Sequence, residues 1–308
     1  MTALANDITA AAGFRRRSWS WLTPWALLAH GLLLIGLIIV VPLIAGVTYA
    51  FRDLSMDNPF AEGDFIGLAN FAHVFSDGRL PRVIGNTVRW TLTTLVLQVL
   101  LGLSLALLLN GGGPWSRRLQ PLLFVPWAVP SILVGLFFKL LVNPTTSFLP
   151  GWLVAAHLIG NPSDLLADPA TAMWGPIAAY VWVGIPFFAI TALAALKSIP
   201  RDLYDAMATD GASAYDQFQS ITLPLIAPTL LIAVLLRSAW IANVGDFVWV
   251  MTQGGPAGST QILPTFVFTA AFVDLDQGYA AALAAVQALA LFAYAAFVLG
   301  WRRRLHGG

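Results

Sequence analysis

The strongest constraint in this sequence is a set of six apolar stretches, each about 20 or more residues long. A helix of roughly 20 apolar residues crosses the hydrocarbon core of a bilayer, which is about 30 Å thick. The chain is 58% hydrophobic and only 10% charged, whereas about 25% of the residues of a soluble domain are charged. We therefore predict an all-α polytopic membrane protein. Its six transmembrane helices are predicted at about Trp25–Ala50, Thr87–Leu109, Leu119–Val142, Met173–Leu196, Leu223–Met251 and Tyr279–Trp301.

Lysine and arginine are distributed unequally over the predicted loops. One set of loops carries ten of them, namely Arg15–Arg17, Arg117, Arg118, Lys197, Arg201 and Arg302–Arg304. The alternate loops carry nine acids and only three basic residues, Arg52, Arg79 and Arg82. Because basic loops stay in the cytoplasm, both termini are predicted to be cytoplasmic, with tails at residues 1–24 and 305–308 around a transmembrane domain at residues 25–304. The first apolar stretch is longer than the ~7–15 residues of a secretory signal core, which favours an uncleaved anchor.

Several classes of function are disfavoured by what the sequence lacks. There are no cysteines, and the four histidines show no metal-ligand spacing, which argues against thiol catalysis and metal sites. A net charge of +1 argues against nucleic acid as a partner. Neither lysine, Lys139 or Lys197, follows the glycine pattern of a phosphate-binding loop, and no serine–histidine–acid cluster suggests covalent catalysis. We predict no enzymatic activity, no bound cofactor and no metal for this chain.

A polar segment, DAMATDGASAYDQF, follows the fourth predicted span on the predicted cytoplasmic side. Ser198 and Pro200 predict the start of a helix, and Gly211 predicts its end, because glycine tolerates the left-handed conformation. Ser213 and Asp216 form an S-x-x-D capping box for a second helix. The sequence therefore predicts a helix, a sharp turn and a second helix at the membrane surface. Such a pair could be a plain polar connector, but its ordered structure favours docking into a groove of another protein.

The same segment resembles the cytoplasmic loop signature of ABC importer permeases, an E-A-A pattern followed by a glycine and later by I-x-L-P. It stands here as Asp205-Ala206-Met207, Asp210-Gly211-Ala212 and Ile221-Thr222-Leu223-Pro224, with Asp for the usual Glu and Met for the second Ala. In that family the segment is the coupling helix, which sits in a cleft of the ATPase subunit and passes nucleotide-driven closure to the membrane spans. The resemblance implies a coupling segment at about residues 198–222, with ATPase contacts at Tyr204, Asp205, Ala206, Asp210, Gly211 and Ala212.

Further motifs resemble the carbohydrate-type permeases of this family, in the family's order and over nearly the whole chain after residue 25. They are Phe65–Phe71, Gly85–Thr87, Leu101–Leu103, Pro126–Pro130, Trp182–Phe187 and Thr252–Pro256, together with Arg237, Trp240, Asn243 and Asp246. Gly245 replaces a usual aromatic residue. The resemblance implies the type I ABC importer permease fold and half of a translocation path for a mono-, di- or oligosaccharide.

In a disaccharide permease of this family, eight matching positions contact the sugar. In this sequence they are Trp127, Tyr180, Val183, Gly184, Phe187, Arg237, Ile241 and Val244. The residue types suit a sugar, because aromatic rings cover its apolar face and a few polar groups bind its hydroxyls.

Arg237 lies about 13 residues into the fifth predicted span, roughly 20 Å along it at 1.5 Å per residue. Ile241 and Val244 follow on the same predicted face. Two interpretations of Arg237 stay open, a substrate contact and a pair with a neighbouring helix. Asp246 lies on the opposite side of the predicted helix, so the two are not an obvious pair.

The resemblance also implies the companions of the chain. They are a second permease subunit, two ATPase subunits that hold ATP and Mg, and an extracytoplasmic substrate-binding protein, assembled at a bacterial inner membrane among its lipids. A polyol, glycerol phosphate or anionic sugar stays open as an alternative cargo, because Arg237 could bind an anion. A secondary transporter or channel is the alternative mechanism; such proteins usually carry ion-coupling groups or inverted repeats, and neither is visible in this sequence.

Overall fold

A computed structural model describes residues 22–54, 63–111 and 113–306 of the chain. In this part of the chain the only strand-like pairing is an isolated antiparallel bridge between Arg52 and Phe65. The helices are α1 (Leu22–Ile35), α2 (Val41–Tyr49), α3 (Ala69–Ser76), α4 (Leu80–Gly111), α5 (Pro114–Leu119), α6 (Val125–Ala128), α7 (Ser131–Leu141), α8 (Leu149–Ala155), α9 (Asp164–Ala167), α10 (Trp174–Lys197), α11 (Arg201–Thr209), α12 (Ala214–Gln217), α13 (Leu223–Asn243), α14 (Asp246–Thr252), α15 (Leu263–Phe272) and α16 (Gln277–His306). The predicted all-α fold class is confirmed.

Five helical segments of the described residues are long and apolar enough to cross a membrane, and there are six if one bent pair counts as a single span. The five are Leu28–Tyr49, Leu80–Gly111, Trp174–Lys197, Ala214–Asn243 and Gln277–Val298. The bent pair consists of Pro114–Ala128 and Ser131–Leu141. The polytopic architecture predicted from the sequence is confirmed, and the predicted number of six spans is reached with the bent pair included.

The first span belongs to a unit of its own, which ends at Tyr49. Its helices α1 and α2 are joined by a π-helical turn at Gly36–Val40. No residue from Gly36 to Tyr49 is buried. An apolar helix with no buried residue in this stretch is suited to contact with lipid or with another membrane subunit.

Two of the predicted spans are broken, which corrects the boundaries expected from the sequence. The predicted third span, Leu119–Val142, bends by 94° between α6 and α7. Pro130 causes this break, because a proline disfavours the helical conformation of the residue before it, and Val129 is extended at φ −98° and ψ 127°. The predicted fifth span, Leu223–Met251, ends its first helix at Asn243.

The break in the fifth span lies at Val244 and Gly245. Val244 is extended at φ −95° and ψ 120°, and the chain becomes helical again at Asp246. A Cβ atom at position 245 would approach Cβ of Pro264 in α15 to 3.0 Å, so glycine permits the close approach of α15. Irregular backbone within a span is tolerated where it is buried in protein or lines a cavity. Both breaks therefore indicate that the backbone near Val129 and Val244 is covered by protein or lines a cavity.

The other boundaries differ less from the prediction. Helix α4 begins at Leu80 rather than at about Thr87, and α10 agrees with the fourth predicted span within one residue at each end. Helix α16 continues to His306, past the predicted end of the transmembrane domain at residue 304. Helix α15 was not predicted as a separate element. The predicted tails lie outside the described residues at positions 1–21 and 307–308.

Helices α4 and α10 pack closely against each other because two glycines face the partner helix. A Cβ atom at Gly102 would overlap Phe188, and one at Gly184 would overlap the amide of Gln98. Around this pair lies the main apolar cluster, which includes Trp90, Tyr180, Phe188, Ile241 and Phe247. The close pairing of α4 and α10 therefore positions the side chains that α13 and α14 bring against them.

Candidate functional site

The predicted turn after the first helix of the coupling segment has the expected conformation. Helix α11 ends at Thr209, and Gly211 follows with a positive φ of 80°. The amide of Ala212 donates to the carbonyl of Met207 at 3.0 Å, and the amide of Gly211 donates to that of Ala208 at 3.1 Å. These two bonds form a Schellman motif, in which glycine occupies the left-handed position. The prediction of a glycine-terminated helix is confirmed; the helix begins after Pro200, at Arg201.

The predicted capping box is also present. The carboxylate of Asp216 accepts from the amide of Ser213 at 2.9 Å, and the hydroxyl of Ser213 accepts from the amide of Asp216 at 3.3 Å. The second helix is shorter than predicted, since α12 is a single turn that continues through a π-helical turn at Phe218–Thr222 into α13. No glycine or proline lies between Gln217 and Leu223 to end it, so the capping box begins a transmembrane helix rather than a separate surface helix.

Helix α11 has one packed face and one exposed face. Tyr204 and Met207 pack against an apolar cluster that includes Leu196 and Ile221, and the hydroxyl of Tyr204 lies 2.9 Å from that of Thr222. Of the six residues predicted to contact an ATPase, two are half-buried, Tyr204 and Ala212, and four are exposed: Asp205, Ala206, Asp210 and Gly211.

Two exposed apolar side chains beside the coupling segment were not singled out by the sequence analysis. Leu203 in α11 is 44% exposed, and Tyr215 in α12 is 66% exposed. Their apolar character could have drawn attention to them, because an apolar side chain left exposed in an otherwise polar segment can contact a partner.

Arg237 lies at a second candidate site, in the interior of the helix bundle. Only 6% of its surface is exposed. Its Nε donates to Oε1 of Gln98 in α4 at 3.0 Å, and Nε2 of Gln98 donates to the carbonyl of Tyr180 in α10 at 2.8 Å. Among the described residues Nη2 of Arg237 has no hydrogen-bond partner. One hydrogen-bonded chain thus connects α13, α4 and α10 and leaves a donor of the guanidinium unused.

Aromatic rings surround the Arg237 guanidinium. Its central carbon lies 5.1 Å from the ring centroid of Tyr180, 5.6 Å from that of Phe187 and 5.8 Å from that of Trp240. Cation–π attraction of this kind offsets part of the cost of burying a charge. Trp90 stacks on Tyr180 at 5.6 Å and donates from Nε1 to the carbonyl of Ile241 at 2.9 Å. The rings and the hydrogen bonds together hold the guanidinium in one position.

The eight predicted substrate residues come from three spans and form two layers that differ in burial. The inner layer is buried and consists of Tyr180, Gly184, Arg237 and Ile241. The outer layer is half-buried or exposed and consists of Trp127, Val183, Phe187 and Val244. Trp127 in α6 is 46% exposed and donates from Nε1 to the carbonyl of Val183 at 2.9 Å, which links the first half of the bent span to α10.

Sequence reasoning gave no role to two residues of this site. Gln98 is fully buried, and a polar residue in the middle of an apolar span was a usable signal, since such residues tend to face a partner or a cavity. Trp240 is 55% exposed, and its ring lies 5.9 Å from that of Phe187, so it extends the outer layer.

A polar cluster lies at the opposite end of the bundle from the coupling segment. The carboxylate of Asp77 accepts from Nη2 of Arg79 at 2.9 Å and from the hydroxyl of Tyr279 at 2.6 Å. Partial burial would raise the pKa of Asp77, but these hydrogen bonds outweigh it and lower the pKa to about 2. Asn86 of α4 donates to the carbonyls of Gly258 and Gln261 at 3.1 and 3.0 Å. This end of the bundle is therefore fixed by polar contacts between distant parts of the chain.

No group of three or more His, Asp or Glu side chains that could hold a metal ion is found in the described part of the chain. The described residues offer two surfaces for binding. One is the exposed polar turn after α11, which can contact a partner. The other is the aromatic surface around the buried Arg237 guanidinium, within the spans.

Comparison with known proteins gives a family match over most of the chain. Residues 98–304 match the model of the family described as binding-protein-dependent transport system inner membrane component. The trehalose/maltose transport system permease protein MalF of Thermococcus litoralis is 35% identical over 208 residues, which cover 67% of this chain and 70% of that protein. The sulfoquinovosyl glycerol transport system permease protein SmoG of Agrobacterium fabrum is 34% identical over 263 residues, 84% of this chain and 83% of that protein.

Solved structures agree on the fold. A chain of a bacterial ABC transporter involved in the import of the acidic polysaccharide alginate superposes with a TM-score of 0.78 at 21% identity, covering 98% of this chain and 99% of that one. A chain of the alginate transporter in complex with an alginate pentasaccharide-bound periplasmic protein superposes with a TM-score of 0.77 at 22% identity, covering 94% and 98%. The chain therefore belongs to the binding-protein-dependent transport system inner membrane component family and has the type I ABC importer permease fold.

Proposed function

We propose that this chain is a permease subunit of an ATP-driven, binding-protein-dependent carbohydrate importer in a bacterial inner membrane. The observation that carries the proposal is the continuity between its two candidate sites. Helix α13 follows the coupling segment without a break and carries Arg237, Trp240 and Ile241. Arg237 lies 14 residues beyond the start of α13, about 21 Å along the helix at 1.5 Å per residue. A movement of the docked ATPase subunit would thus be transmitted to the aromatic site through α13.

Relatives support the cargo class. One is named for trehalose and maltose and another for sulfoquinovosyl glycerol, and the structural neighbours belong to an importer of alginate. All three names describe carbohydrates or their derivatives. The aromatic outer layer suits such a cargo, because sugar rings present apolar faces that pack on aromatic rings.

The proposed assembly contains a second permease subunit, two ATPase subunits and an extracytoplasmic substrate-binding protein. ATP and Mg are held by the ATPase subunits, and this chain catalyses no reaction itself. Both termini and the coupling segment lie in the cytoplasm. The exposed residues Asp205, Ala206, Asp210 and Gly211 contact the ATPase, while Tyr204 and Ala212 hold the turn in place.

The two layers of the aromatic site have different proposed roles. The outer layer, extended by Trp240, faces the cargo. The inner layer, with Gln98, supports the outer one from within the bundle. Burial supports this division, since Arg237 is 6% and Tyr180 5% exposed, whereas Trp127 is 46% exposed.

Reconstitution in liposomes tests the proposal. The chain is co-purified with the second permease, the ATPase and the binding protein of the same importer, and uptake of radiolabelled sugars and stimulated ATP hydrolysis are measured. We expect ATP-dependent uptake that requires the binding protein. The control is the chain alone under a proton or sodium gradient, for which we expect no uptake. Gradient-driven uptake by the chain alone would support a secondary transporter instead.

An anionic sugar or glycerol phosphate is the second candidate cargo. The unused Nη2 of Arg237 favours it, because a guanidinium binds carboxylates and phosphates through paired donors. The same reconstituted importer distinguishes the two, since glycerol phosphate or an anionic sugar would then inhibit uptake of the labelled cargo more strongly than a neutral sugar of similar size.

A further inference from the structure

A cavity of about 400 Å³ lies beside the break between α13 and α14. It is bounded by the start of α7, by the break itself and by α15, and it is separate from the Arg237 site. Its lining includes Ile132, Asn243, Asp246, Trp249 and Phe268. Its volume falls in the range of roughly 300–1,000 Å³ that is typical of small-molecule sites.

An exposed carboxylate lies at this cavity. Oδ2 of Asp246 accepts from the hydroxyl of Ser131 in α7 at 2.9 Å, and the other carboxylate oxygen makes no hydrogen bond within the described part of the chain. An acid within a span is costly unless it faces water or a partner. Asp246 is exposed, so one oxygen remains available to accept a hydrogen bond from a ligand.

Aromatic and amide groups lie beside this carboxylate. The rings of Trp249 and Phe268 have centroids 5.1 Å apart, and Phe268 is 47% exposed. Asn243 is exposed at the same cavity. A carboxylate, an amide and an aromatic surface are the groups that bind sugar hydroxyls and sugar faces. Asp246 is the single charged residue among those that line the cavity, and the nearby ammonium of Lys139 is engaged with the carbonyl of Val250 at 3.1 Å, so the lining itself opposes an anion.

We propose that this cavity is a second carbohydrate subsite, which binds neutral sugars and disfavours anionic ones. The proposal rests on the carbohydrate cargo proposed above. Phe247, next to Asp246 in the chain, has its ring 5.0 Å from that of Tyr180, so the two sites are neighbours on either side of α14. The buried, packed rings of Phe247 and Tyr180 separate them.

A purely structural role of Asp246 makes a different prediction. If the carboxylate only ties α14 to α7, removal of Ser131 should have the same effect as removal of Asp246. If the carboxylate binds sugar, Ser131→Ala should be nearly neutral, because it leaves both oxygens of Asp246 in place. The matched pair Ser131→Ala and Asp246→Ala thus distinguishes the two roles.

Site-directed alkylation provides the measurement, because the chain has no native cysteine. Ile132 is 62% exposed and is changed to cysteine in the assembled importer, and the rate of maleimide labelling is followed by mass spectrometry. The probes are trehalose, maltose and sucrose as neutral sugars and digalacturonate as the anionic one. The control is Leu158→Cys, at a site 67% exposed and outside the cavity.

We expect at least one neutral disaccharide to slow the labelling of Ile132→Cys about fivefold or more, with no effect at Leu158→Cys and less protection by digalacturonate. Adding Asp246→Ala should raise the half-protecting sugar concentration about tenfold, the effect expected from loss of a hydrogen bond to a charged acceptor. Adding Ser131→Ala should change it less than twofold.

Three results would overturn the subsite. They are no protection by any probe, stronger protection by digalacturonate than by every neutral sugar, and equal effects of Ser131→Ala and Asp246→Ala. Uptake by the unmodified importer is measured in parallel. Uptake without protection refutes the subsite alone, whereas absence of sugar uptake refutes the proposed cargo class.

Discussion

Replacement of Gly184 by alanine should destabilise the subunit strongly, because the contact between α4 and α10 has no room for a methyl group. A Cβ atom at this position would overlap the side-chain amide of Gln98. Gln98 is fully buried, so its side chain cannot rotate into open space. It must either leave the carbonyl of Tyr180 and the guanidinium of Arg237 or push the two helices apart.

The size of the effect follows from these two consequences. Overpacking of a well-packed interior costs typically about 1–3 kcal/mol. Loss of the hydrogen bond from Arg237, at 3.0 Å in the native structure, costs about 1.5–3 kcal/mol because one partner is charged. Either outcome lowers the free energy of unfolding by about 1–3 kcal/mol. About 1 kcal/mol changes the Tm of a chain of 150–250 residues by roughly 2–4 °C, so for this longer chain we expect a decrease of about 5 °C.

Thermal unfolding of the detergent-solubilised importer, followed by fluorescence-detected size exclusion, measures this effect. The matched control is Gly85→Ala in α4, where no atom lies within 4 Å of the added methyl group and alanine is the better helix former. In the double variant Gly184→Ala with Gln98→Ala the overlap is removed, so its Tm should equal that of Gln98→Ala alone rather than show additive losses. The reasoning is refuted if Gly184→Ala unfolds at the same temperature as Gly85→Ala. Lost transport with an unchanged Tm would instead indicate that Gly184 lines the cargo path.

Three further predictions concern other parts of the chain. Gly211→Pro and Asp205→Lys together should leave the protein in the membrane but abolish uptake and binding-protein-stimulated ATP hydrolysis. The reason is that proline removes the amide that donates to Ala208. Normal uptake would exclude the coupling role of this segment. Arg237→Ala should lower complex yield and Tm, since it leaves the buried amide oxygen of Gln98 unpaired; a stable complex without uptake would instead indicate a substrate contact. Arg237→Lys lacks the forked geometry of the guanidinium, so it should retain uptake only if the cargo is bound by charge. Asp77→Asn should lower the Tm by a constant amount at pH 5–8. The pKa of Asp77 falls to about 2 on folding, so the carboxylate stabilises the native state at pH values above its unfolded pKa of about 4. This stabilisation is lost as the pH falls toward 2. The difference in Tm between the unmodified protein and Asp77→Asn should therefore shrink below pH 4.

Local signals in the sequence were sufficient for the two helix termini of the coupling segment, but not for the extent of its second helix. Gly211 and the Ser213–Asp216 pair act through bonds to residues within five positions of themselves, so their geometry is coded in the segment. The fourth span was equally predictable, because α10 contains no break despite Pro186. Both features depend on short-range chemistry or on continuous hydrophobicity.

The broken spans were missed for a different reason. Apolar content alone predicted continuous helices through Val129 and Val244. The prediction of the third span did not take Pro130 as a signal that ends a helix. The break at Gly245 depends on the approach of Pro264, which lies 19 positions further along the chain and cannot be inferred from the local pattern.

The arginine site shows a third limit. Family resemblance identified Arg237 and Gly184, but the residue that connects them, Gln98, lies on a third helix. The contact exists only because α4 and α10 pack closely, which is a property of the folded bundle. Sequence reasoning therefore found the cation and not the group that holds it.

The turn between α11 and α12 is held by its own hydrogen bonds, so its shape does not depend on a docked partner. A loop that became ordered only on docking would lose backbone entropy worth about 1–2 kcal/mol per residue, and this loss would be subtracted from the binding free energy. Because the Schellman motif and the capping box fix these residues in advance, the contacts of the exposed face contribute fully to affinity. In the proposed importer, displacement of this turn by the ATPase would therefore also displace α13, because the hydrogen bonds of the turn oppose its local unfolding.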